Sequence, residues 1–490
     1  MAMKRKIEQA LRRFGRDRRG NYGMMMAIVA PMLLVGAGFG INVAQISNAR
    51  SNLLAALDAA VTSTARDITV GVIEEKDADS AIESFLLANG QRTFARDGGI
   101  TLDNVVVDTF RKTVMAEASV VVDVAFPLFG AANQQTIHTV SKARYSDRKI
   151  EVAMMLDVTG SMAATKEKTE KKNGKTVVTK PATDKIGDLQ AAATIAVEAL
   201  LDGNKHSPDR IRVAIVPYAA SVNVGEALAR SVVFQENGNG PVPPQNWKRP
   251  SNLTNYCATE RKMQDGAPDF SDDAPGKMRT NVVTVRSGRN TTTTSYDYPA
   301  LVNRSDDRDV NCPSASVIPL TTDEQKLKDE IAAFEAKGST AGGIATQWTY
   351  YMLSRNWRDA ISNAKLDGAD AKLGDGPADP NPEKLAKIAI LMTDGEYNLA
   401  FAGSGSNKTT NARNNAETLC TNMTRDGIEI FTIGFALPSN EGAAARTILK
   451  DCASRDTPLT KHFYDAADGD ELKKAFQDIV RNIERLALIR

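Results

Sequence analysis

Three hydrophobic patterns succeed one another along the 490-residue chain. The first is continuous. From Met24 to Ile41, within NYGMMMAIVAPMLLVGAGFGINVAQ, the residues are apolar, and no charged side chain stands between Arg19 and Arg50. About 20 apolar residues suffice to cross a bilayer as a helix, and Pro31 and the glycines are tolerated in one. The pattern therefore predicts a transmembrane helix over 21–45. The second pattern is mixed. AQISNARSNLLAALDAAVTSTARDIT carries the helix outward with Ala and Leu at helical spacing, leaving Asp58 on a solvated face. EKDADSAIESFLLAN predicts a second helix over 75–89, ending near Gly90. TLDNVVVDTF and TVMAEASVVVDVAFPLF then alternate like an antiparallel hairpin, and QTIHTVSKARY adds a strand. Residues 46–147 thus read as a small membrane-proximal α+β module.

From 148 to 490 the third pattern is short, wholly apolar strands alternating with helices. Strands are expected at KIEVAMMLD, RIRVAIVPYA, KIAILMTD, EIFTIGFAL and KHFYDA, and helices at about 184–202, 323–336, 342–354, 410–424, 442–452 and 470–487. Strands apolar on both faces belong in a mainly parallel sheet covered by helices, a doubly wound α/β fold whose ligands bind beyond the carboxyl ends of the strands. Two polar insertions interrupt it: the Lys-rich stretch 165–184, read as a solvated charge run, and residues 236–316, whose Asn, Asp, Pro and Thr content reads as a loop-like lid or side module.

Charge is balanced at 61 basic against 60 acidic residues, which gives no footing for a nucleic-acid binder. The basic residues nevertheless gather in residues 1–20, ahead of the apolar run. The excess of positive charge on the cytoplasmic side places that segment inside and the bulk of the chain outside. A cleaved signal peptide would need an A-x-A-like exit, for which Val35-Gly36-Ala37 is a poor candidate. The four cysteines, Cys257, Cys312, Cys420 and Cys452, contain no C-x-x-C, and with three histidines a zinc site is not indicated. Outside the membrane they read as disulfides; sequence order suggests Cys257–Cys312 and Cys420–Cys452 among three possible pairings.

Candidate chemistry collects where two strands end. IEVAMMLDVTGSMA places Asp157 at the end of the first parallel strand, with Thr159 and Ser161 just beyond; KIAILMTD ends on Asp394. Between them EAKGSTAGGIATQWTYYML sets Thr340 in a Gly-rich loop before a helix. Two carboxylates and three hydroxyls form an all-oxygen donor set suited to a hard divalent cation. If one carboxylate binds only through water, the ion stays electrophilic and accepts an external carboxylate, which is binding chemistry without a general base. A P-loop, a nucleophile elbow and a credible Ser-His-Asp set are all missing from the sequence, and the second Asp that a haloacid-dehalogenase-type phosphotransferase requires is here Thr159.

The D-x-T-x-S, later Thr and later Asp-Gly resemble the von Willebrand factor A domain with its metal-ion-dependent adhesion site. That resemblance implies that Asp157, Thr159, Ser161, Thr340 and Asp394 hold Mg²⁺, or Mn²⁺ or Ca²⁺. The family more often has Ser where Thr159 stands. The amino terminus, with Phe14-Gly15-Arg16-Asp17-Arg18-Arg19-Gly20 before the anchor and Ala56-Leu57-Asp58-Ala59-Ala60 beyond it, resembles TadE/TadG-like proteins of tight-adherence (Flp) pilus assembly. Prepilin-type processing favours Glu five residues after the Gly, where this chain has Met25. Together the resemblances imply a non-enzymatic, single-pass protein of the bacterial inner membrane with a periplasmic bulk. It would bind a protein partner of the pilus or adhesion machinery, with oligomerisation possible. The alternatives are a structural tether whose metal only stabilises the fold and, further off, a metallohydrolase.

Overall fold

The computed structural model describes residues 21–486 apart from 70–71, 95–98, 127–132, 147, 173–174, 181, 205–208, 235–255, 263–266, 276–277, 300, 304–311, 365–375, 383, 403–407 and 439–441. The basic segment 1–20 and much of 236–316 lie outside the described residues. The chain divides into two compact units between Tyr145 and Ser146.

The first unit is built on α1, an unbroken 49-residue helix from Asn21 to Thr69 with Pro31 inside it. Its first half exposes Met25, Met26, Ile28, Met32, Leu33, Leu34 and Phe39, so most of the apolar run has no protein cover among the described residues. Its second half buries Leu53, Leu57, Ala60 and Val61, at helical spacing, against a three-stranded antiparallel sheet. The sheet order is β1 (Ile100–Asp108), β2 (Thr113–Asp123), β3 (Gln134–Arg144). Asp58 is exposed, as expected. The second helix, α2 (Ala78–Phe94), differs from expectation: it runs through Gly90 for four more residues. A glycine inside a helix costs about 1 kcal/mol and does not by itself end one.

The second unit is a mixed α/β structure with mostly parallel strands. Its sheet is ordered β7 (Cys257–Ala258), β6 (Val222–Asn223), β5 (Ile211–Tyr218), β4 (Lys149–Asp157), β9 (Leu385–Thr393), β10 (Ile428–Phe435), β11 (Phe463–Ala466). β5, β4, β9, β10 and β11 are mutually parallel. The short strand β8 (Ile318–Thr321) pairs antiparallel with β5 and was not foreseen. Alternate residues of the central strands feed two cores. On one face Val152, Met154 and Leu156 meet α3 (Lys185–Asp202), α4 (Glu324–Ala332) and α8 (Gly469–Leu486). On the other, Ala153 and Met155 meet α5 (Gly342–Tyr351), α6 (Lys408–Arg425) and α7 (Ala443–Cys452). Helices cover both faces, which is why the strands carry no polar alternation. Both expected disulfides form, Cys257–Cys312 and Cys420–Cys452.

The insertions depart from the loop reading. The Lys-rich stretch forms an antiparallel hairpin, Lys168–Lys172 with Lys175–Lys180, closed at its base by Thr165 and Thr183. In the larger insertion Met278–Ser287 pairs with Asn290–Pro299 across a two-residue turn, with Gly288 at φ +63°. The threonines that looked loop-like are β-branched strand formers. Another part of the insertion packs into the unit. Gln347 on α5 accepts from Arg261 N–H at 2.8 Å and donates to the Asp269 carbonyl at 2.6 Å, while Glu260 accepts from the Phe401 and Ala402 N–H groups.

Candidate metal centre at the carboxyl edge of the sheet

β4 and β9 are adjacent and parallel, so their ends deliver Asp157 and Asp394 to the same edge. Asp157 is completely buried. Its Oδ1 accepts from Thr159 N–H at 2.9 Å; its Oδ2 accepts from the Tyr218 hydroxyl at 2.9 Å, the Thr393 hydroxyl at 2.8 Å and, more distantly, Asp394 N–H at 3.4 Å. A linked row follows. The Thr159 and Ser161 hydroxyls lie 3.0 Å apart, Ser161 donates to Asp394 Oδ1 at 2.6 Å, and Lys185 Nζ stands 2.9 Å from Asp394 Oδ2.

Thr340 reaches the cluster through its loop. Lys337 N–H donates to the Val158 carbonyl and Gly160 N–H to the Gly338 carbonyl, both at 2.9 Å, which stitches the loop to the turn after β4. Thr340 itself exchanges backbone bonds with Asn398: its N–H donates to the Asn398 side chain at 3.0 Å and its carbonyl accepts Asn398 N–H at 2.9 Å. The two glycines that follow are there for space. A Cβ on Gly342 would stand 2.0 Å from the Tyr397 ring, and one on Gly343 would stand 2.9 Å from the Ala412 carbonyl.

The sequence pointed to Asp157, Thr159, Ser161, Thr340 and Asp394. The structure joins four of them by hydrogen bonds, Asp157 through the Thr159 backbone N–H and Thr159, Ser161 and Asp394 through their side chains, and brings the fifth into the same loop cluster. It adds Lys185, Tyr218, Thr393 and Asn398. Tyr218 had a signal, since it closes β5 opposite Asp157 in the parallel register. Lys185 had none: it comes to the edge because the 165–183 hairpin returns the chain there, with Asp184 capping α3 by accepting from Gly187 N–H at 3.1 Å.

Electrostatics favour a cation. Burial, and next the negative charge of Asp394, push the Asp157 carboxyl up to about 6. Burial also raises the Tyr218 phenol far above its ordinary value, so it remains a neutral donor. Two buried carboxylates against one ammonium leave a formal negative charge at this edge. The donor set of carboxylate and hydroxyl oxygens fits a hard divalent ion, and Lys185 already places a positive charge on Asp394. Asp157, with both oxygens engaged by donors, would act on such an ion through water and charge. Thr159, Ser161, Thr340 and Asp394 offer the nearer oxygens.

Residues 20–67 match the Tad family of Flp pilus-assembly TadE/G-like proteins. The match takes in the apolar helix and Ala56–Ala60; Phe14–Arg19 lie outside it. No curated protein matches the chain. Among solved structures, the vWF domain of the type V pili tip protein Mfa5 from Porphyromonas gingivalis aligns at 11% identity and TM-score 0.34, covering 70% of this chain and 97% of that one. The pilus adhesin SpaC from Lactobacillus rhamnosus GG aligns at 9% identity and TM-score 0.35, covering 79% of this chain and 34% of that one, so this chain spans about a third of SpaC. A mutant of the PilB minor pilin from Streptococcus sanguinis aligns at 10% identity and TM-score 0.33, covering 79% of this chain and 78% of that one. Likeness at this level bears on neither site nor partner.

Proposed function

We propose that this chain is a membrane-anchored, periplasmic component of tight-adherence pilus assembly, and that its second unit is a von Willebrand factor A-like domain binding a protein partner through a divalent ion, Mg²⁺ first among Mg²⁺, Mn²⁺ and Ca²⁺. The observation that carries the reading is the linked row Asp157–Thr159–Ser161–Asp394 at the carboxyl edge of adjacent parallel strands. An ion held there would present an open position to a partner's carboxylate. The chain's own part is to hold the oxygens in place, keep the Asp157 side buried and supply negative charge. The TadE/G-like match to α1 supports the link to pilus assembly, the exposed apolar half of α1 supports a membrane anchor, and the basic residues within 1–20 support an amino terminus in the cytoplasm.

The Lys185–Asp394 pair favours a second reading, a tether whose edge cluster holds the fold together and engages no partner. Calorimetric titration of Mg²⁺, Mn²⁺ and Ca²⁺ into the detergent-solubilised chain, beside Asp157→Ala, separates the two. Saturable binding that the substitution abolishes supports the metal site. No saturable binding at millimolar metal, that is a Kd above about 1 mM or binding weaker than about −4 kcal/mol, sinks it and leaves the tether.

A further inference from the structure

At the level of its apolar run α1 touches one other segment among the described residues. Gly38 is buried although Leu34, Val35 and Phe39 around it are exposed, because the Phe126 ring lies on it. A Cβ at Gly38 would stand 3.2 Å from both Cβ and Cγ of Phe126. One turn further, Asn42 grips the Phe126 backbone with both ends of its amide: Nδ2 donates to the Phe126 carbonyl at 2.7 Å, and Phe126 N–H donates to Oδ1 at 3.1 Å. Gln45 Oε1 accepts from Ala125 N–H at 3.3 Å. The start of the β2–β3 loop is thus fastened along the 38, 42, 45 stripe of α1, yet Phe126 remains 47% exposed.

Position along α1 decides what that ring meets. The apolar run 24–41 is about 26 Å long at 1.5 Å per residue, close to the roughly 30 Å of a hydrocarbon core. Gly38 lies three residues, about 4–5 Å, inside its outer end. A loop at that depth needs its backbone polar groups bonded within the protein. Here the Ala125 N–H and both backbone groups of Phe126 are bonded to α1 side chains. Phe is among the apolar side chains that bury into the boundary between headgroups and acyl chains.

We propose that the start of the β2–β3 loop, Ala125 and Phe126, is a second membrane-contacting element, in which Phe126, fastened to α1 by Asn42, sits in the outer interfacial layer of the lipid bilayer. The occupant is lipid because the half-exposed Phe126 lies on Gly38, whose neighbours on the helix, Leu34, Phe39 and Ile41, are exposed apolar residues of the span. The proposal rests on α1 crossing the membrane.

The test places tryptophan at Phe126, Phe39 or Phe110 of the full chain, reconstituted in phosphatidylethanolamine–phosphatidylglycerol vesicles with brominated acyl chains. Phe110, 93% exposed, is at the opposite end of β2 and serves as the aqueous control. Each variant is compared with the unsubstituted chain, whose three tryptophans give a constant background. Strong quenching at 39, intermediate quenching at 126 and none at 110 is the expected result. Quenching at 39 with none at 126 overturns the loop contact and leaves the span standing; no quenching at 39 overturns the span, and the proposal with it. Adding Asn42→Leu to Phe126→Trp should at least halve the quenching at 126. Unchanged quenching would overturn the role of Asn42 as the fastening.

Discussion

Strand β4 carries a buried carboxylate near each end, and the two have opposite surroundings. At the amino end Glu151 faces Arg212 on β5 and Lys387 on β9, its register partners on either side. Lys387 Nζ lies 2.9 Å from Glu151 Oε2 and also donates to the Leu353 and Ala378 carbonyls at 2.6 and 2.7 Å. Arg212 pairs with Glu151 and donates to the Gly376 carbonyl at 2.8 Å, while Ala378 N–H donates to Glu151 Oε1 at 2.8 Å. This cluster has two cations to one carboxylate, and backbone carbonyls absorb the surplus. At the carboxyl end the ratio is reversed, two carboxylates to one ammonium, and the lysine is 20% exposed. A surplus of positive charge can be met by carbonyls, which every backbone supplies. At the carboxyl edge N–H groups and hydroxyls meet Asp157, and the surplus negative charge of the pair is what the proposed ion would balance. The same strand thus carries a sealed ionic knot near one end and the candidate site at the other.

The largest expected effect comes from breaking the knot. Glu151→Ala leaves Lys387 and Arg212 buried without their counter-charge, and a loss of about 3–5 kcal/mol is expected. Asp394→Ala in metal-free buffer frees a lysine that can already reach water, and a loss of no more than about 1 kcal/mol is expected. Denaturant midpoints of the two variants measure the contrast. Equal losses would mean that the carboxyl edge is as structural as the amino edge.

Acidification probes the next effect. Asp157 titrates near 6 in the fold against an ordinary 3.8, so the folded chain binds the proton more tightly than the unfolded one. Its contribution to stability is present in full below about 4 and is lost as pH rises through about 6. Metal-free melting temperature should therefore rise as pH is lowered from 7 toward 5, by a free energy of about 1 kcal/mol over that interval, with the remainder gained only as pH falls toward 4. Asp157→Asn should flatten that dependence. With Mg²⁺ present the trend should reverse, because the ion favours the ionised pair. A metal-free profile falling with acid in both proteins would place the shift elsewhere.

These contrasts also mark what the sequence could disclose. Asp157 and Asp394 were legible because each follows a run of apolar residues, and parallel strands put such ends on one edge. The knot was not legible. Its members are separated by 61 and 236 positions, and each taken alone is an ordinary charge near a strand start. The hairpin 278–299 escaped because threonine and charge on both faces leave no alternation to read, and β8 because four residues beside an insertion carry little pattern. Both disulfides followed sequence order, whereas the packing of Glu260 and Arg261 against α5 and the 401–402 turn depends on contacts that no local pattern announces.

Lys185 gives the smallest and most diagnostic effect. Its ammonium and an incoming ion seek the same carboxylate, so the lysine competes with the metal while steadying Asp394 in the metal-free chain. Lys185→Met keeps the aliphatic stem and removes the charge. Metal affinity should then rise by about three- to tenfold, equivalent to about 0.7–1.4 kcal/mol, with a small fall in metal-free melting temperature. Lys185→Arg keeps the charge and should leave affinity within about twofold of the parent. Calorimetry beside thermal melts reads both quantities from one preparation. If Lys185→Met weakens metal binding, the lysine is positioning Asp394 for the ion. The carboxyl edge would then resemble the amino edge more than its charge suggests, a knot that needs its lysine in place before it can hold anything else.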